Sequence, residues 1–146
     1  MYSFLVHLHS GLRWLVLFAL ILAVVLAFVH WRQGKPYAGW LKKSALYAFI
    51  FSHLQLVIGL ILYFISPKVI FDSAAMKDSV TRFFLVEHIS MMILSIVLIT
   101  VGYSIAKRKP TDLAKAKTTF WFYLIALVLI LLSIPWPWQA YGAGWG

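Results

Sequence analysis

The sequence predicts an all-α fold, an integral membrane up-down-up-down four-helix bundle. Three observations carry this reading. Of 146 residues, 63% are hydrophobic and 12% are charged, about half the charged share of a soluble domain, and the mean hydropathy is +0.90. The apolar residues fall into four runs, each near the roughly 20 residues a spanning helix needs. The links between runs are short, so successive helices should pack as antiparallel neighbours. A single domain over residues 1–146 is expected.

The first run covers residues 4–30. It reads as a span and not a cleaved leader, because no basic region precedes it, it is long, and it lacks a small-residue cleavage site. The second covers 41–66 and stops at Ser66-Pro67, where proline removes a donor and disfavours helix just before it. The third covers 82–107 and the fourth 118–135. The fourth ends at Pro135-Trp136-Pro137-Trp138, whose indoles suit a membrane interface. Between the second and third runs a short interfacial helix is expected near Ser73 to Val80, with Asp72 or Ser73 as its N-cap.

Charge is distributed unevenly. The net charge is +9. The first link carries Arg32, Lys35, Lys42 and Lys43 and no acid. The third carries Lys107, Arg108, Lys109, Lys115 and Lys117 against Asp112 alone. The middle link is more balanced, with Lys68, Lys77 and Arg82 against Asp72 and Asp78. This is the positive-inside pattern, which places the first and third links in the cytoplasm and both termini outside. Anionic headgroups account for the basic clusters, so the lipid bilayer is the expected partner and nucleic acid is not. Cysteine is absent, which excludes disulfides, thiolate metal sites and covalent haem attachment. There is no glycine-rich phosphate loop, nucleophile elbow or carboxylate pair.

The chemistry lies in the histidines. His7, His9 and Arg13 fall inside the first run, His53 inside the second and His88 inside the third. An ionisable group in a span costs a few kcal/mol and is rare without a task or a partner. Counted at about 1.5 Å per residue from the outer face, His9 lies about 9 Å deep, His88 about 9–10 Å and His53 about 20 Å. His9 and His88 therefore match in depth, on helices that are diagonal in a four-helix ring. That arrangement suits two axial ligands gripping one haem, and ligation on both faces suits electron transfer. His9 and His88 are thus the first choice as ligands of haem iron. His7 stands about 200° from His9 on the helix, so the two cannot face one iron. His7 and His53 are alternative ligands or a second site. Purely structural hydrogen bonding by these imidazoles is the competing reading.

Neighbouring residues fit the first choice. Arg13 lies one turn from His9 on the same face. It is placed to pair with Glu87, beside His88, or with a haem propionate. Met92 and Ser95 continue the His88 face, and Ser10, Gly11, Gly59 and Ser90 are small enough to leave room. A quinone headgroup needs donors, which Gln55 or His53 could supply. His30 reads as an interface residue.

At these residues the chain resembles a family of small bacterial four-helix membrane proteins described as cytochrome b-like. The resemblance rests on His7-Leu8-His9-Ser10-Gly11-Leu12-Arg13-Trp14, on Ser52-His53-Leu54-Gln55 with Gly59 and Tyr63-Phe64, on Val86-Glu87-His88, and on Ile134-Pro135-Trp136-Pro137-Trp138. It implies a b-type haem held non-covalently by histidines, in a bacterial cytoplasmic membrane, with electron transfer as the role. More distantly the layout is similar to four-helix b-type cytochromes that exchange electrons with quinones. Those often carry histidines for two haems near opposite faces, and a matching inner pair is lacking here. The expected function is therefore membrane electron transfer through one haem b near the outer face, to or from a quinone or a partner redox protein. A quinone-linked oxidoreductase, or an electron-transfer subunit of one, falls within that expectation. Two other classes stand beside it: a non-catalytic subunit or assembly factor of a larger membrane complex, and a small transporter using histidines as proton or metal relays.

Overall fold

The structure is a computed structural model, and it describes residues 1–141, 144 and 145. The described residues form an all-α bundle of four long helices: α1 (Tyr2–Gln33), α2 (Trp40–Ile65), α3 (Ser79–Arg108) and α4 (Asp112–Ser133). All four are long and apolar enough to cross a membrane. Around the ring α1 touches α2, α2 touches α3, α3 touches α4 and α4 touches α1. The first and third helices are thus diagonal, and the α2–α3 contact is the thinnest of the four. The termini share one face, here called the terminal face; the two basic links share the other.

Local chemistry sets the helix ends. Gly34 stops α1 with φ 64, and its N–H donates to His30 O; only glycine takes this left-handed cap without strain. α2 stops at Ser66, in extended backbone before Pro67. α4 starts at Asp112, ahead of the position 118 expected from hydropathy. Thr111 is the reason: its hydroxyl accepts from the Ala114 amide at 3.1 Å, and Asp112 in the first turn suits the helix dipole. Lys115 and Lys117 are compatible with helix because their long stems carry the charge out towards water.

The expected interfacial helix near Ser73 to Val80 is split in two. Asp72 caps a single 3₁₀ stretch, Ser73–Lys77, by accepting from Ala74 N at 3.0 Å. Asp78 caps the start of α3 by accepting from Thr81 N at 3.0 Å. The Ala74 amide and then the Ser73 hydroxyl hold the Asp72 carboxyl below the ordinary carboxylate range. The Thr81 amide and hydroxyl do the same for Asp78.

The half of the bundle nearer the basic links is filled. Leu20, Ala23, Ala45, Ala48, Ile99, Tyr123 and Ala126 form its core. Helices in lipid associate through close packing and small residues, since lipid tails are as apolar as leucine. Gly102 shows how close: a Cβ there would stand 2.3 Å from Phe122 Cβ. The Tyr123 hydroxyl donates to Ala45 O at 2.8 Å, tying α4 to α2 across the bundle. Phe18, Phe64 and Leu132 turn outward, as lipid-facing residues of a span should. The half nearer the terminal face is different, because a cavity opens there.

Candidate functional site

The cavity has room for water centres over about 230 Å³. All four helices line it, including His9, Arg13, Gln55, Gly59, His88 and Met92. Three buried side-chain atoms lack hydrogen-bond partners among the described residues: His9 Nδ1, Arg13 Nε and Gln55 Oε1. All three residues line this one cavity. A buried polar atom without a partner costs about 1–3 kcal/mol, so their convergence marks a space built for something polar.

His9 and His88 meet across the diagonal. Their ring centroids are 6.5 Å apart with planes at 76°. Gly59 on α2 makes the space for His9: a Cβ there would be 3.1 Å from His9 Cε1. Gln55, one turn earlier, donates from Nε2 to His9 O at 2.8 Å. His88 reaches its place through one π-helical turn, Phe83–Glu87, in which the His88 amide bonds to Phe83 O. A π turn adds one residue and shifts the phase of the helix after it; such turns are frequent at functional sites. Tyr63 supports it by donating its hydroxyl to Leu85 O at 2.8 Å. The His88 ring is then held by Nδ1, 2.8 Å from Ser133 O.

No family model, curated protein or solved structure matches this chain. The site must therefore be read from its own chemistry. Among the described residues no group of three His, Cys, Asp or Glu side chains could hold a metal ion. His9 and His88 between them offer two imidazole ligands.

The other sequence candidates divide sharply. The Arg13–Glu87 pair is not formed. Glu87 pairs instead with Arg82, Oε1 to Nε at 2.8 Å, because the π turn leaves Glu87 on the outside of the bundle. Arg13, only 8% exposed, donates from Nη2 to Trp145 O at 2.8 Å. Its guanidinium lies 5.0 Å from the Trp14 ring centre and 6.0 Å from that of Trp136. His53 is outside the cavity lining. Its Nδ1 lies 2.6 Å from Phe49 O, and its Nε2 3.1 Å from Thr100 Oγ1. Both ring nitrogens are thus engaged, and His53 serves as a tie between α2 and α3. His7 is exposed and also outside the lining. Gly11 and Ser90 are exposed too, so of the small residues Gly59 and Ser10 face the cavity. His30, in keeping with an interface residue, has Nδ1 2.7 Å from Pro36 O in the first link.

Tyr2, Ser66 and Lys68 also line the cavity, although no sequence motif marks them; the Tyr2 and Ser66 hydroxyls are 3.1 Å apart. Lys68 lies over Phe84, Nζ 5.1 Å from the ring centre. The one signal for Lys68 was its place immediately after Ser66-Pro67, at the level where a span ends.

Proposed function

We propose that the cavity binds one haem b between His9 and His88, and that the protein transfers electrons in a membrane. The observation that carries this is the diagonal histidine pair. Two imidazoles on opposite sides of one metal atom have ring centres about 6 Å apart, from metal–nitrogen bonds of about 2 Å and about 1 Å from each nitrogen to its ring centre. The observed 6.5 Å agrees. It also lies towards the long end for direct ring packing.

Each neighbour has a task under this reading. His88 uses Nδ1 on the Ser133 carbonyl and keeps Nε2 for the metal, the usual arrangement for a ligating histidine. Met92, Ile130 and Ile134 offer an apolar wall. Arg13 and Lys68 line the same cavity and would hold the carboxylates of the group by charge-assisted hydrogen bonds. Haem ligated on both faces supplies a one-electron carrier without an open coordination position. The packed half around Leu20, Ile99 and Tyr123 is consistent with one haem and not two.

The partner in this reading is a quinone or another redox protein. Gln55 Oε1, buried and unpartnered, suits a quinol hydroxyl. The charge asymmetry supports placing the terminal face on the outer side of a bacterial cytoplasmic membrane, and in this reading the site exchanges electrons near that face. The test is haem content: protein purified from a haem-replete host should carry about one non-covalent haem per chain. A colourless protein that takes up no haem on titration overturns the proposal.

A further inference from the structure

The carbonyls in the last turn of any helix lack in-helix donors. In α4 the Ile130 carbonyl is still met, by Ile134 N–H at 3.0 Å. In the same register Leu131 looks to residue 135 and Ser133 to residue 137. Both are proline, and proline has no N–H. Pro135 also holds Ile134 in extended backbone, ψ 131, as expected for the residue before proline.

Side chains take these two carbonyls, while Trp136 N–H, in register for Leu132, turns instead to Ile134 O and Gln139 Oε1. Trp136 Nε1–H donates to Leu131 O at 3.0 Å. His88 donates to Ser133 O at 2.8 Å. A carbonyl oxygen can only accept, so Nδ1 of His88 carries the hydrogen and, in the neutral ring, Nε2 carries the lone pair. Without the two prolines the helix is free to run on through residue 137, and the N–H groups at 135 and 137 then compete for those carbonyls. The Pro-Trp-Pro pattern removes the competitors and supplies one of the two replacement donors itself.

We propose that Pro135 and Pro137 are positioning residues for His88, reserving the Ser133 carbonyl for its Nδ1–H and so presenting an unprotonated Nε2 to the cavity. The purpose of this device rests on reading His88 as a metal ligand. The tautomer is a property of the haem-free chain and can be measured without any cofactor.

The experiment uses the full, haem-free chain in detergent, labelled with ¹⁵N-histidine and assigned by single His→Gln variants. In the wild type His88 should show a protonated Nδ1 and an unprotonated Nε2. In Pro135→Ala/Pro137→Ala, two new backbone donors compete for the Leu131 and Ser133 carbonyls. His88 should then lose its single tautomer and show protonation shared between the two nitrogens, while His53 signals stay in place. Trp136→Phe removes the donor to Leu131 while keeping an aromatic ring beside Arg13, and should leave His88 unchanged. If circular dichroism shows the double variant unfolded, Pro135→Leu/Pro137→Leu, which restores the same two N–H groups with side chains suited to a span, decides on the same outcomes. A wild type without the Nδ1–H tautomer, or a folded variant in which His88 keeps it in full, overturns the proposal. A colourless wild type with the expected tautomer change sinks the haem reading and leaves this one standing.

Discussion

Gly59→Ala separates the site from the fold. The new Cβ would stand 3.1 Å from His9 Cε1, 3.7 Å from Nδ1 and 3.9 Å from Nε2. Ordinary contact begins near 3.4 Å, so the imidazole must move by a few tenths of an ångström. Alanine is favoured over glycine in a helix by about 1 kcal/mol, and crowding a packed site by one methyl costs about the same. The two offset, and thermal unfolding in detergent should place the variant within about 1 kcal/mol of wild type. The displaced ring is another matter. Holding a side chain off its rotamer costs about 1 kcal/mol, which lowers haem affinity about fivefold. Gly59→Leu adds three more carbons and drives the ring out of its place, so haem titration followed by absorbance should show binding abolished. If Gly59→Leu binds haem with the wild-type spectrum and affinity, His9 is not a ligand and the geometry argued above is wrong.

Other expectations follow from the same contacts. Thr100→Val removes the hydroxyl beside His53 and should cost about 0.5–1.5 kcal/mol of stability, with no change in any haem spectrum; a spectral change would return His53 to the ligand set. Glu87→Gln breaks an ion pair whose side chains are 41% and 45% exposed, so its effect on denaturant unfolding should stay below about 1 kcal/mol. A larger loss would mean that Glu87 has a second partner. The Asp72 and Asp78 carboxyls lie below their ordinary 3.8 because amide N–H groups bind the charged form. Depressed values mean that the caps contribute fully above that ordinary value and are lost as pH falls below it. Hydrogen exchange at the Ala74 and Thr81 amides, corrected for its intrinsic pH dependence, should therefore show constant protection from about pH 7 to about pH 5; loss within that range contradicts the cap assignment.

The four spans were legible because hydropathy is local and a helix rises evenly. The same regularity brought His9 and His88 to one depth on diagonal helices, and the structure brings their rings together. Three things were hidden. The start of α4 was obscured because Lys115 and Lys117 look like link residues, although their stems tolerate a helix at the interface. The break in the interfacial helix was hidden because two aspartates six residues apart each cap a separate turn. The Arg13–Glu87 pairing failed because uniform helical phase does not anticipate a π turn at Phe83–Glu87. The partners that orient the site, Ser133 O for His88 and Trp145 O for Arg13, are backbone carbonyls. Every residue has one, so side-chain identity does not point to them. The prolines at 135 and 137 were the available signal, since they remove the N–H groups that would otherwise compete.

The central claim is that His9 and His88 together hold one haem. The reduced-minus-oxidised absorbance spectrum of purified wild type, His9→Ala, His88→Ala and His53→Ala tests it most directly. A low-spin b-type spectrum is expected in the wild type and in His53→Ala, and it should be lost or converted in each of the other two. A wild type with no haem spectrum, or one whose spectrum survives both His9→Ala and His88→Ala, contradicts the account.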